Sequence, residues 1–179
     1  AASTRHGLTV EDGLAQQIEA ESQRLGDVAV RTGHSAGSIK HCKVGDVVIE
    51  LGPDSAAAGA KIAVEAKEDA SYTIAAARNE IETARKNRRA QVGLFVFSSK
   101  TTPTGMEPVT RYGQDIVVTW DLEDPRSDLF LRTGLSLARG LCVRQRQHTQ
   151  AEAADFSAIE AAILEIEKQA GKLGEISEV

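Results

Sequence analysis

A mixed α/β fold of the α+β kind, one sheet flanked by helices, is what this 179-residue sequence predicts. Three observations carry it. Apolar residues recur at helical spacing near both ends and in the middle of the chain. Short apolar runs lie between stretches rich in glycine, serine and proline. The two patterns then follow one another as helix, three strands, helix, strand, strand and further helices.

Val10, Leu14, Ile18 and Leu25 mark the first helix, with Thr9 as its N-cap ahead of Glu11 and Asp12 and Gly26 as its stop. Asp27 to Arg31 alternates as a first strand, and the turn from Gly33 to Lys43 leads to a second strand over Val44 to Leu51. After the loop that starts Gly52-Pro53-Asp54-Ser55, Lys61 to Lys67 forms the third strand. From Tyr72 to Gln91 no helix breaker intervenes, and Ile74, Ala77, Ile81 and Ala84 make a narrow apolar face. The run Gln91 to Phe97 is apolar throughout, as in a strand buried on both sides, and Asp115 to Trp120 is a fifth strand beyond a loop containing Pro103, Gly105 and Pro108. A third helix over Leu129 to Leu141 is expected to kink near Gly134 and Gly140. The stripe Phe156, Ile159, Ile163, Ile166 and Ala170, within a fourth helix over Ala151 to Leu173, fits a packed or homodimerising helix.

With 41% hydrophobic and 26% charged residues the chain can bury a core, and its net charge of -5 argues against nucleic-acid binding by the whole surface. Cys42 and Cys142 show neither zinc nor disulfide-framework spacing, which points to a reducing compartment. No apolar run approaches the ~20 residues of a bilayer span and the first residues lack signal-peptide order, so no membrane contact and a cytoplasmic location are expected. A chain opening on Ala1 and closing in helical sequence reads as a piece of a longer protein.

Three residues carry the chemistry: Asp46 near the start of the second strand, and Glu65 and Lys67 at the end of the third. Side chains two apart on a strand share a face, so Glu65 and Lys67 point the same way and Ala66 the other. Phosphodiester hydrolysis needs charge on the phosphoryl oxygens neutralised and a water made nucleophilic. A hard divalent cation such as Mg²⁺ supplies much of this while taking only one or two protein carboxylates. Asp46 and Glu65 are such a pair, the Ala66 carbonyl is a third oxygen, and Lys67, its pKa lowered by partial desolvation, could orient or deprotonate the water. A short Glu-x-Lys arises often by chance on solvated strands. The acid on the preceding strand and the apolar strand that carries the pair set this one apart.

Gly45-Asp46, then Glu65-Ala66-Lys67, then a helix and the apolar strand from Val92, resemble the restriction-endonuclease-like PD-(D/E)xK superfamily over residues 7 to 120. The resemblance implies an α-β-β-β-α-β core with a mixed sheet, within a nuclease-like domain over residues 1–147 and a C-terminal helix over 148–179. It implies Asp46 and Glu65 as Mg²⁺ ligands, with Mn²⁺ as the substitute ion, Lys67 assisting the water, Glu11 as an acid from the first helix and Glu80 completing the site from the second. The implied activity is metal-dependent hydrolysis of DNA phosphodiesters. The alternative is an inactive nuclease-like fold serving as a DNA-binding or assembly module. The family often has Pro before its Asp, where this chain has Gly45. The segment Arg78 to Val96 also looks like a bacterial branch joined to coiled coil, in the manner of RmuC-like recombination proteins.

Arg78, Arg85, Lys86, Arg88 and Arg89 are read either as a phosphate-contacting surface or as a solvated helix face paired with Glu80 and Glu82. Glu50 is expected as a solvated or paired charge. Gly52 to Lys61 fails the P-loop pattern, and His6, His34, His41 and His148 lack ligand spacing.

Overall fold

Thr9 starts the first helix as expected: its hydroxyl accepts the N–H of Asp12, and α1 (Val10–Arg24) follows. The computed structural model describes residues 9–177, with side chains to residue 168. After α1 come β1 (Val28–Arg31), β2 (Val47–Glu50), β3 (Lys61–Lys67), α2 (Ile74–Asn87), β4 (Val92–Ser98), β5 (Val109–Tyr112), β6 (Asp115–Trp120) and α3 (Asp128–Ser177). The six strands form one mixed sheet in the order β1-β2-β3-β4-β6-β5. The first three strands run antiparallel in sequence. β3, β4 and β6 are parallel neighbours, and β5 closes the far edge antiparallel to β6. Parallel pairing of β3 with β4 requires a crossover, and α2 supplies it.

Alternation along the strands sorts the core into two layers. Ile62, Val64 and Ala66 of β3, with Val92, Leu94 and Val96 of β4, face Leu14 and Ile18 of α1 and Leu131 and Leu135 of α3. On the other face Ala63, Phe95, Phe97 and Val117 pack under Ala77, Ile81 and Ala84 of α2. Every residue of β4 is buried, which is what its unbroken apolar run predicts. Two ion pairs join α3 to the start of the chain, Arg132 to Glu21 at 2.7 Å and Arg139 to Asp27.

Several expectations are corrected. β2 begins at Val47 instead of Val44, because the chain turns at Gly45. Val109–Tyr112, placed in a loop, is the edge strand β5; its residues are only half-buried, so no apolar run announces it. The third and fourth helices are one continuous helix, α3, unbroken through Gly134 and Gly140. Gly134 serves close packing: a Cβ there would stand 2.6 Å from Val118 Cγ1 and 3.2 Å from Leu94 Cδ1. Gly134→Ala is expected to lose about 1–3 kcal/mol to overpacking, more than the ~1 kcal/mol that alanine gains in helix propensity. Urea unfolding would measure it, and a stabilised variant would contradict the packing assigned to this glycine.

The chain divides into two units between Val143 and Arg144. In the second, Phe156, Ile159, Ile163, Leu164 and Ile166 are exposed, while Ala170 of the predicted stripe lies outside the residues whose side chains are described. Both cysteines are free. Among the described residues no helix is long and apolar enough to cross a membrane.

Candidate functional site

The end of β3 and the turn into β2 bring Asp46, Glu65 and Lys67 together. The ladder partner of Val47 is Val64, and the Asp46 N–H also donates to the Val64 carbonyl, at 2.8 Å. Two residues facing one is the count of a β-bulge, which re-aims side chains and ends pairing. Beyond it, side chains continue the ladder. Asp46 Oδ2 accepts the N–H of Ala66 at 2.8 Å, and Glu65 Oε2 accepts the N–H of Gly45 at 2.6 Å. Each carboxylate is thus held by the other's strand, leaving Asp46 Oδ1 and Glu65 Oε1 as further acceptors.

Gly45 is required by this exchange. Its φ is +103°, and a Cβ would lie 2.8 Å from the Arg88 side chain. A proline here could supply neither the positive φ nor the N–H that Glu65 accepts. The departure from the Pro-Asp pattern therefore has a local cause.

Glu65 is 5% exposed. Burial, joined by the charges of Asp46 and Glu80, pushes its carboxyl up to about 8 against the opposing Gly45 N–H and Lys67. Burial likewise raises the Asp46 carboxyl, with Glu11 and Glu80 adding to the shift and the Ala66 N–H resisting it. Glu11 itself is exposed near the start of α1.

Lys67 corrects an expectation. Burial alone would lower its ammonium, but the hydrogen bond and charge of Glu80, with Glu65 and Asp46, outweigh it and the net shift is upward. Lys67 Nζ stands 3.0 Å from Glu80 Oε1 and 3.8 Å from Glu65 Oε1. With its pKa raised from the ordinary lysine value, it is protonated at neutral pH in the metal-free chain and available as a donor and counter-charge. Tyr72 was not singled out from the sequence. Its hydroxyl donates to Glu80 Oε2, its ring lies 5.3 Å from Lys67 Nζ and 5.9 Å from the Phe95 ring, and Phe95 is the ladder partner of Glu65. Tyr72 precedes the Thr73 cap of α2, outside any periodic pattern that would have marked it.

The predicted basic surface is dispersed. Arg85 pairs with the half-buried Asp115 at 3.0 Å, and Lys86 with Glu82 at 2.6 Å. Arg78 lies 4.6 Å from the Tyr112 ring centre. Arg88 is buried and donates to the carbonyls of Thr32, Ser35, Lys43 and Val44 at 2.8–3.0 Å. Arg89 is exposed and, with Lys61, Val28 and Val30, lines a groove of ≈ 590 Å³ on β1 and β2. Glu50 pairs with Lys61 at 3.6 Å, the paired role expected of it. His34, His41 and His148 are exposed, and His6 lies outside the described residues.

Among the described residues no three of His, Cys, Asp and Glu converge on a point that would hold a metal ion. The donors that meet are the two carboxylates of Asp46 and Glu65. Two is within the one or two carboxylates that Mg²⁺ takes from protein while waters and substrate oxygens fill its shell. Two half-buried or buried acids, both with raised pKa values and with the charge of Asp46 among the causes for Glu65, also form a place where a cation relieves repulsion. The donor set fits a hard divalent ion. Comparison with protein-family models and with curated proteins finds no match to this chain.

Proposed function

We propose that this chain carries a restriction-endonuclease-like domain that hydrolyses DNA phosphodiesters with Mg²⁺ or Mn²⁺. The observation that carries the reading is the crossed clamp, in which Asp46 is held by the Ala66 N–H and Glu65 by the Gly45 N–H. It keeps two carboxylates side by side in a part-buried place, an arrangement whose charge costs stability and which has a clear use in holding a cation. Asp46 and Glu65 would hold the ion, with the Ala66 carbonyl beside them, and the ion when bound would supply charge neutralisation and a more acidic water. Lys67, protonated and steered by Glu80, offers a hydrogen bond and a positive charge to a phosphate oxygen. Tyr72 keeps Glu80 in place. DNA as the substrate rests on the family resemblance of the motif and on the order α1 β1 β2 β3 α2 β4.

Supercoiled and linear DNA incubated with the chain at several Mg²⁺ and Mn²⁺ concentrations should be cleaved only with metal. Asp46→Asn should remove that activity. Cleavage by the variant at the parent rate would discard the site.

One observation favours the second reading, a nuclease-like fold that binds without cleaving. Three of the five cations read either as a phosphate-contacting surface or as a solvated, paired helix face are spent on Asp115, Glu82 and backbone carbonyls. Calorimetric titration with Mn²⁺ separates the two, because a module without catalysis need show no heat that depends on Asp46 and Glu65.

A further inference from the structure

The second unit presents an apolar stripe with charges of one sign along it. Phe156, Ile159, Ile163 and Ile166 follow one another at spacings of three, four and three, the seam of a two-stranded coiled coil with Phe156 and Ile163 at a and Ile159 and Ile166 at d. All four are exposed, Phe156 at 67% and Ile166 at 66%. A run of large apolar side chains left open in this way marks an interaction surface.

The flanking positions decide what can cover it. Position e holds Glu160 and Glu167, and position g holds Asp155 and Ala162, so no flank carries a positive charge. In a parallel pair of this helix g meets the following e, setting Asp155 against Glu160 of a second copy on both sides. In an antiparallel pair e meets e, setting Glu160 against Glu167. Either arrangement brings like charges together at the seam, which selects against self-pairing. The arginines Arg144 and Arg146 cannot compensate, because the stretch from residue 144 to 150 contains no apolar side chain to extend the seam. An anionic membrane surface is excluded by the same acidic flanks.

We propose that this face binds an amphipathic helix of another protein whose apolar seam is flanked by lysine or arginine. The expected homodimer through the C-terminal helix is replaced by a heteromeric contact. The inference is independent of the nuclease reading, since none of its residues lies in the first unit.

Two 28-residue probe peptides with Ile at a and Leu at d test it, one with Lys at every e and g and the other with Glu there. Fluorescence anisotropy with the full chain at neutral pH should show the lysine peptide binding at least tenfold more tightly, with an affinity that falls as salt rises. Sedimentation should show the chain alone to be monomeric. Glu160→Lys with Glu167→Lys should invert the preference, and Ile159→Asp with Ile163→Asp should abolish binding of both peptides. Because these positions are exposed, all the variants should fold. Equal binding of the two peptides, binding of neither, or a neutral-pH dimer that Ile159→Asp disrupts would overturn the proposal.

Discussion

Glutamine at position 65 is expected to abolish metal-dependent DNA cleavage, by on the order of 10³-fold or more, while making the metal-free protein more stable at pH 8. The two effects share one cause. Glu65 sits beside Asp46 in a buried place, and its carboxyl binds its proton up to about pH 8 in the folded chain against an ordinary value of 4.5. Between those values the folded state keeps a proton that the unfolded state has released. Stability is therefore full below about pH 4.5 and is lost as pH rises toward 8, where the folded chain must carry the charge. At ~1.4 kcal/mol per pKa unit the loss amounts to a few kcal/mol. Glutamine keeps an oxygen for the Gly45 N–H and has no charge to bury. Melting curves in chelator from pH 5 to 8.5 should fall with pH for the parent and be flatter for Glu65→Gln. Added Mn²⁺ should stabilise only the parent. Parallel curves for the two proteins would show that Glu65 is not held against its charge.

Arg88→Ala is expected to cost about 3–5 kcal/mol, the largest single loss of stability predicted for the site region. Among the described residues the guanidinium has no carboxylate partner. It satisfies four carbonyls of the segment from Thr32 to Val44, and Gly45 and Asp46 come next in the chain. Removing it leaves four part-buried acceptors short, at ~1–3 kcal/mol for each that water does not reach. Gly45 would also lose the side chain packed against it, so the N–H that anchors Glu65 should become mobile. Arg88→Lys should rescue little, because an ammonium has three donors on one atom and cannot span the fork. Urea denaturation checks the energy, and Mn²⁺ titration of the lysine variant checks the geometry. An alanine variant as stable as the parent would show that the loop holds itself.

The most legible parts of the fold were those with a strong local signal. α1 and its Thr9 cap, β3 over Lys61 to Lys67 and the fully buried β4 came from periodicity and capping that need no distant partner. β5 was missed because a half-buried edge strand looks like a polar loop. The close packing at Gly134 was not foreseen, because a glycine placed for packing and one placed for a kink look alike in a linear chain.

Within the site, the sequence alone named Asp46, Glu65 and Lys67, since acids and a lysine at strand spacing point to one chemistry, and Glu80 came from the family resemblance. It also determined the heptad stripe and its acidic flanks, which are properties of one helix. Only the tertiary structure decided the protonation of Lys67, whose partner Glu80 comes from another element, and the part of Tyr72, which acts through Glu80. It alone dispersed the basic cluster, turning Arg88 inward to carbonyls more than forty positions away in the chain. The physical reason is that periodicity tells which face a side chain takes, whereas its charge state and hydrogen bonds depend on groups that folding brings from elsewhere.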